Sequence, residues 1–333
     1  MAIETTATID SDHRLEQMIR QVDRLHSGPG IAQRILVLTR DPDFDMHEVA
    51  SCLEHDPALT ARILRLINSP RYGLANKVAS VRHAASYLGR RSLQLVTLSF
   101  SLLDRFASGP HRELYKGYWQ RALTMACIGR RLAERDKDVA ADEAYSTGLL
   151  ADVGVLSLAQ VGGDYYVALC LKHPHGPEFQ EAEINLLGFD HTAFGARLLE
   201  GWGLPERLLS AIRRHHVSAQ HGEPLEKIVH AGWLMSEALW TPNSPHVQAA
   251  RRFLEENFDI DLDAFVELAL ECRSDVEDAA RVFGISVGTF DCQKLADEAR
   301  RQSLESALEA TLELDALEAV VEGNGQPPGT PPF

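Results

Sequence analysis

Between residues 112 and 240 the apolar side chains recur at intervals of three and four, and nowhere in the chain do they alternate cleanly at two. A three-four spacing lines one face of an α-helix, whereas a half-buried strand needs alternation. The chain is therefore expected to be all-α. The spacing predicts helices near 112–135, 141–160, 178–187, 190–201, 205–217 and 224–240. Upstream, Asp45-Met46-His47-Glu48 reads as a capping box. Asp56-Pro57 supplies an N-cap and a proline at the first helical position. Leu59, Ile63, Leu66 and Ile67 share one face of the helix that follows, and residues 68–73 break it. Ser80 caps a short helix that stops at Leu88-Gly89. A longer apolar helix is expected over 91–106, and residues 108–111 punctuate the chain. The segment 201–205, GWGLP, reads as a helix stop followed by a helix start; it lacks the strand and third glycine of a phosphate loop.

The chemistry lies in the polar residues that share the apolar faces. The run Leu114, Tyr118, Arg121, Met125, Ile128, Leu132 places Arg121 inward. Tyr145, Leu149, Asp152, Leu156 and Ala159 do the same for Asp152, and Leu187, His191, Phe194, Leu198 and Trp202 for His191. Leu208 and Ile212 lead to His215, with His216 beside it. Separate helices thus bring an acid, a guanidinium and imidazoles to one interior. Aspartate and histidine are suitable metal ligands in a helical bundle. The plainer reading is a set of satisfied core residues. Arg121 offers no lone pair and would repel a metal, so it is expected to pair with Asp152 instead.

These residues, with EHDPALTARILRLINSPRYGLANKVASVRHAASYLG at 54–89, carry a family resemblance. The chain resembles the HDOD family, regulatory relatives of the HD and HD-GYP metal-dependent phosphohydrolases. The resemblance runs over about 28–240, through YWQRALTMA, STGLLADVGVLSLAQ, FDHTAFGARLLEGWGLPERLLSAIRRHH and IVHAGWLMSEAL. It implies that three ligand positions of the catalytic enzymes are occupied here by Arg121, Ala151 and Trp233. Asp152, His191, His215 and His216 remain, and no Gly-Tyr-Pro signature is present. The resemblance implies a vestigial site without catalysis, metal or cofactor, in a bacterial signal-transduction protein. The organisation expected is an N-terminal extension (1–27), two HDOD subdomains (28–108 and 109–240), acidic helices (241–322) and a disordered tail (323–333).

Charge adds a second candidate surface. Residues 251–333 hold 19 acids against 7 bases, while residues 57–103 hold seven bases (Arg62, Arg65, Arg71, Lys77, Arg82, Arg90, Arg91) and no acid. Such a stretch can bind an anion or an interaction partner, or be a solvated face that docks on the acidic remainder of the chain. Nucleic acid is disfavoured, because no aromatic-rich RNA-binding motif accompanies the bases. The leading expectation is a protein partner in signalling. A nucleotide or cyclic dinucleotide bound without cleavage is the alternative. A phosphohydrolase with an unusual ligand set (Glu143, Asp164 or His173-Pro-His175) is the third. The leucines of 304–321 are expected to pack on the body, with homodimerisation left open. Five scattered cysteines without a CxxC pair, no signal-peptide pattern and no apolar run of 18 residues lead to an expectation of a cytoplasmic protein without membrane insertion.

Overall fold

Each three-four stripe becomes a buried helix face in the computed structural model. It describes residues 11–22, 31–38, 43–54, 57–89, 112–173, 176–217, 221–241 and 245–305, together with 92, 93, 96 and 308. Among them the structure is all-helical. In chain order the helices are α1 (11–22), α2 (Ile31–Leu38), α3 (Met46–Glu54), α4 (Pro57–Ile67), α5 (81–89), α6 (Arg112–Ala133), α7 (Ala141–Leu150), α8 (Val153–Lys172), α9 (Pro177–Leu187), α10 (His191–Gly201), α11 (Glu206–Arg214), α12 (Pro224–Trp240), α13 (His246–Phe258), α14 (Leu262–Phe283) and α15 (292–305).

Asp45 and Ser80 act as N-caps, but the reciprocal Glu48 bond of a capping box is not seen among the described residues. Asp45 Oδ1 accepts the amide of His47 at 2.8 Å, and Ser80 Oγ accepts that of His83 at 3.2 Å. Asp56 lies outside the described residues. The break after α4 is a 3₁₀ turn, Pro70–Tyr72, held by Asn68, whose side chain exchanges two hydrogen bonds with the backbone of Val78.

The bundle is organised around α6, which packs against α7, α12 and α14, while α8, α10 and α11 close the side that carries the polar residues. Two crossings are so tight that only glycine fits. A Cβ on Gly148 would stand 2.7 Å from the Met125 backbone, joining α7 to α6. A Cβ on Gly154 would stand 2.0 Å from the carbonyl oxygen of His191, joining the start of α8 to the start of α10.

Two expectations need correction. The helix expected over 141–160 is broken: α7 ends at Leu150, Ala151 and Asp152 form a turn, and α8 begins at Val153. Asp152 takes the N-cap position of α8, where aspartate is a favoured residue. Leu304 and Leu308, expected against the body, are exposed, because α15 makes its last fully buried contact at Ala299. By length and mean hydropathy the stretch 141–172 is comparable to a membrane span, although Asp152 and Asp164 leave it no uninterrupted apolar run of 18 residues. Half of its apolar window is buried inside the bundle, and the turn at Asp152 and the non-helical Gly163 interrupt it.

Candidate functional site

The turn between α7 and α8, the first residue of α10 and the end of α11 meet at one point. Asp152 occupies the N-cap position of α8 without capping it, so its carboxylate is free to face other side chains. The positive end of the α8 dipole lies behind it. His191 opens α10, where Asp190 caps the helix by accepting the amide of Ala193 at 2.9 Å. His215 and His216 follow α11. One ligand atom from each of Asp152, His191, His215 and His216 lies within 4.8 Å of the other three. Asp152, His191 and His215 are 2%, 1% and 0% exposed, and His216 is half-buried.

The rings are oriented from behind. His191 Nδ1 lies 2.6 Å from Glu183 Oε2, and the same oxygen accepts the His191 amide at 3.0 Å. Tyr166 donates its hydroxyl to the other oxygen of Glu183. His215 Nδ1 donates to the carbonyl of Ile212 at 2.7 Å, and His230 Nδ1 donates to the carbonyl of His215 at 2.8 Å. The Nε2 atoms are left to face inward. His215 Nε2 lies 3.1 Å from Asp152 Oδ1, and His191 Nε2 lies 2.9 Å from His216 Nε2 and 3.5 Å from Asp152 Oδ1. An outer hydrogen bond on Nδ1 with Nε2 pointing in is the arrangement of metal-bound imidazoles.

Arg121 completes the charge set. Its Nε stands 3.6 Å from Asp152 Oδ2, an ion pair without a hydrogen bond, and its side chain is nine-tenths buried. Burial opposes charge on His191, but the carboxylates of Glu183 and Asp152 outweigh it and raise the imidazole pKa to about 10. Burial likewise pushes Asp152 up, and hydrogen bonds from His191 and His215 reverse this, holding it well below the ordinary carboxylate range. Glu237, one turn beyond Trp233 on α12, is pushed up to about 7 by burial; Arg121 draws it down and Asp152 pushes it up.

The structure brings together Arg121, Asp152, His191, His215 and His216. Trp233 stands against His216, ring centroids 4.7 Å apart and nearly perpendicular, and Ala151 is fully buried beside Asp152. The expected Arg121–Asp152 pair is present, yet the nearer partner of Asp152 is His215. Sequence reasoning misses Glu183, Glu237 and His230. Glu183 shares an apolar face with Phe179 and Leu187, the same signal that marks His191.

The other donors considered do not join. Glu143 is buried and faces Arg207 at 3.7 Å, and Asp164 is exposed. His173 is half-buried and outside the cluster; His175 lies outside the described residues. Of the basic stretch, Arg65, Lys77 and Arg82 are exposed, Arg62 is half-buried, and Arg82 pairs with Glu54 at 3.5 Å. The side chains of Arg71, Arg90 and Arg91 lie outside the described residues.

The donor set fits one tetrahedral ion, because three imidazole nitrogens and one carboxylate oxygen converge. It does not fit two, because Arg121, Ala151 and Trp233 offer no donor.

The model of the HDOD domain family matches residues 25–218, which hold the whole four-residue cluster but not α12. Among solved structures, a provisionally named phosphohydrolase from Shewanella amazonensis SB2B is 22% identical, with 80% of this chain and 97% of that one covered and a TM-score of 0.61. A provisionally named signal transduction protein from Marinobacter aquaeolei VT8 is 24% identical, with 83% and 66% covered and a TM-score of 0.57. An HDOD domain protein of unknown function from Geobacter sulfurreducens is 26% identical, with 78% and 98% covered and a TM-score of 0.50. No curated protein matches the chain.

Proposed function

The chain belongs to the HDOD family, and we propose that it is a non-catalytic signal-transduction protein that works through contacts with other proteins. The observation that carries this reading is the buried guanidinium of Arg121, 3.6 Å from Asp152, in the place where hydrolysis would need positive charge from metal. At an effective dielectric near 20, two unit charges about 4 Å apart interact by roughly 4 kcal/mol. A fixed cation there offsets Asp152 and opposes a dication. With a proton on His191, the two cations Arg121 and His191 balance the two carboxylates Asp152 and Glu183. The chain then supplies its own counter-charges.

Access points the same way. Three of the four cluster residues are almost fully buried, which leaves little room for a phosphodiester to reach them. Activating water between two metals requires donors at two sites, and only one set is complete. The name of the Marinobacter protein agrees with a signalling role; that of the Shewanella protein favours an enzyme. The test is incubation of the purified protein with Mn²⁺ or Fe²⁺ and a panel of cyclic dinucleotides and nucleotide phosphodiesters. No product is expected. Turnover abolished by Asp152→Asn would overturn the reading.

The inward-facing Nε2 atoms favour a second reading, in which Asp152, His191, His215 and His216 hold one metal ion. Such an ion would supply Lewis-acid charge or structural cross-linking. Glu183 and the Ile212 carbonyl would then fix the tautomers of His191 and His215.

A further inference from the structure

Arg121 and Trp233 have no lone pair for a metal, but both carry N–H groups. Those groups are buried and unmatched. Arg121 Nε and Nη2 and Trp233 Nε1 hydrogen-bond nothing among the described residues. The two residues are 8% and 4% exposed. Asp152 Oδ2 approaches Arg121 Nε only to 3.6 Å, beyond a hydrogen bond. A buried donor without an acceptor destabilises a fold, and a charged one does so more. Packing alone gives no reason to keep three of them.

The crossing of α6 and α12 holds these groups together. Trp240 donates its indole N–H to the carbonyl of Gln120 at 3.2 Å. Further along, a Cβ on Gly232 would stand 3.1 Å from the carbonyl oxygen of Met125. The two helices therefore run antiparallel, and Arg121 lies level with the stretch of α12 just before Trp240. Glu237 is in that stretch, and Trp233 is one turn earlier on the same face. The charge of Arg121 acts on Glu237. Glu237 is part-exposed, so the edge of the buried region lies beside it. Burial holds its carboxyl up at about 7, and below that pH its proton is a further donor.

Hydrogen-bond donors thus outnumber acceptors here, and the complement of such a set is an oxyanion. An arginine donates through a planar fork that matches two oxygens of one anion. An indole N–H can only donate. Asp152 opposes an anion, but His191 and His215 share its charge. The burial that shuts out a phosphodiester limits the ligand to a few atoms. We propose that Arg121, Trp233 and Glu237 form a binding site for one small oxyanion, which enters beside Glu237. The site rests on the reading that Arg121 takes the place of a metal, and it gives that metal-free centre a ligand of its own.

The test uses the full chain, isotope-labelled at its indole nitrogens and treated with chelator. Metal content before chelation tests the proposed function; anion binding after it tests this site. The probe is sodium phosphate, with sodium chloride at equal ionic strength as the comparison. Phosphate is expected to shift one indole N–H resonance saturably, the resonance missing from Trp233→Phe, with one phosphate per chain by calorimetry. Trp233→Phe keeps a ring against His216 and loses only the N–H, and it is expected to bind phosphate at least tenfold weaker. No saturable shift by about 10 mM phosphate would overturn the proposal. So would an equal response to chloride, or undiminished binding by a folded Trp233→Phe. If that variant does not fold, the indole titration and calorimetry of the parent decide.

Discussion

His215 Nε2 lies 3.1 Å from Asp152 Oδ1, while the opposite nitrogen of the same ring donates to the carbonyl of Ile212. A carbonyl has no proton to give, so Nδ1 carries one. In a neutral ring Nε2 would then present a lone pair to a carboxylate. A cation beside the two groups favours their approach. Arg121, on the other oxygen of Asp152, adds a cation that cannot leave. The proposed function follows from this fixed cation.

If Arg121 serves Asp152, removing either one strands a buried charge. Arg121→Met and Asp152→Asn should each destabilise the fold by about 3–5 kcal/mol. The double variant should cost at least about 1 kcal/mol less than the sum. Urea unfolding of all four proteins gives the cycle. Strict additivity would mean that the 3.6 Å approach carries no coupling.

Glu237 makes stability depend on pH. Its folded pKa, raised to about 7, lies above the ordinary carboxylate value. A raised folded value gives stability that is fully present below the unfolded pKa and lost as pH rises through about 7. Relative to Glu237→Gln, the parent should lose about 2–3 kcal/mol between about pH 4.5 and pH 8. A gap between the two proteins that stays constant across this window would show that Glu237 is not held neutral.

The crossing of α8 and α10 sets the distance between Asp152 and His191. A methyl carbon added at Gly154 would stand only 2.0 Å from the His191 carbonyl oxygen, so the helices must part for any side chain. Gly154→Ala should cost about 3 kcal/mol or more, beyond the usual overpacking range. A melting temperature within about 2 °C of the parent would mean that this crossing is not tight in solution.

Much of this site is legible in the sequence because helical period and burial are the same information. The stripes around Met125, Phe194 and Ile212 place Arg121, His191 and His215 inside, and all are buried. Asp152 is placed correctly although its helix breaks there, since the turn at Ala151 keeps the residue on the inner side. Glu183 carries the same stripe signal, and Glu237 stands one turn from Trp233. Their roles depend on His191 and Arg121 respectively, partners that local spacing does not connect to them. Ring orientation is out of reach for the same reason: the carbonyls of Ile212 and His215 that set it are positioned by the fold.

The most direct measurement is the metal content of the protein, purified without chelator and analysed for iron, manganese and zinc. With Arg121 and a proton on His191 balancing Asp152 and Glu183, fewer than about 0.1 ions per chain are expected. About one tightly bound ion per chain, lost in Asp152→Asn, would contradict the proposed charge balance and assign the four-residue cluster to a metal.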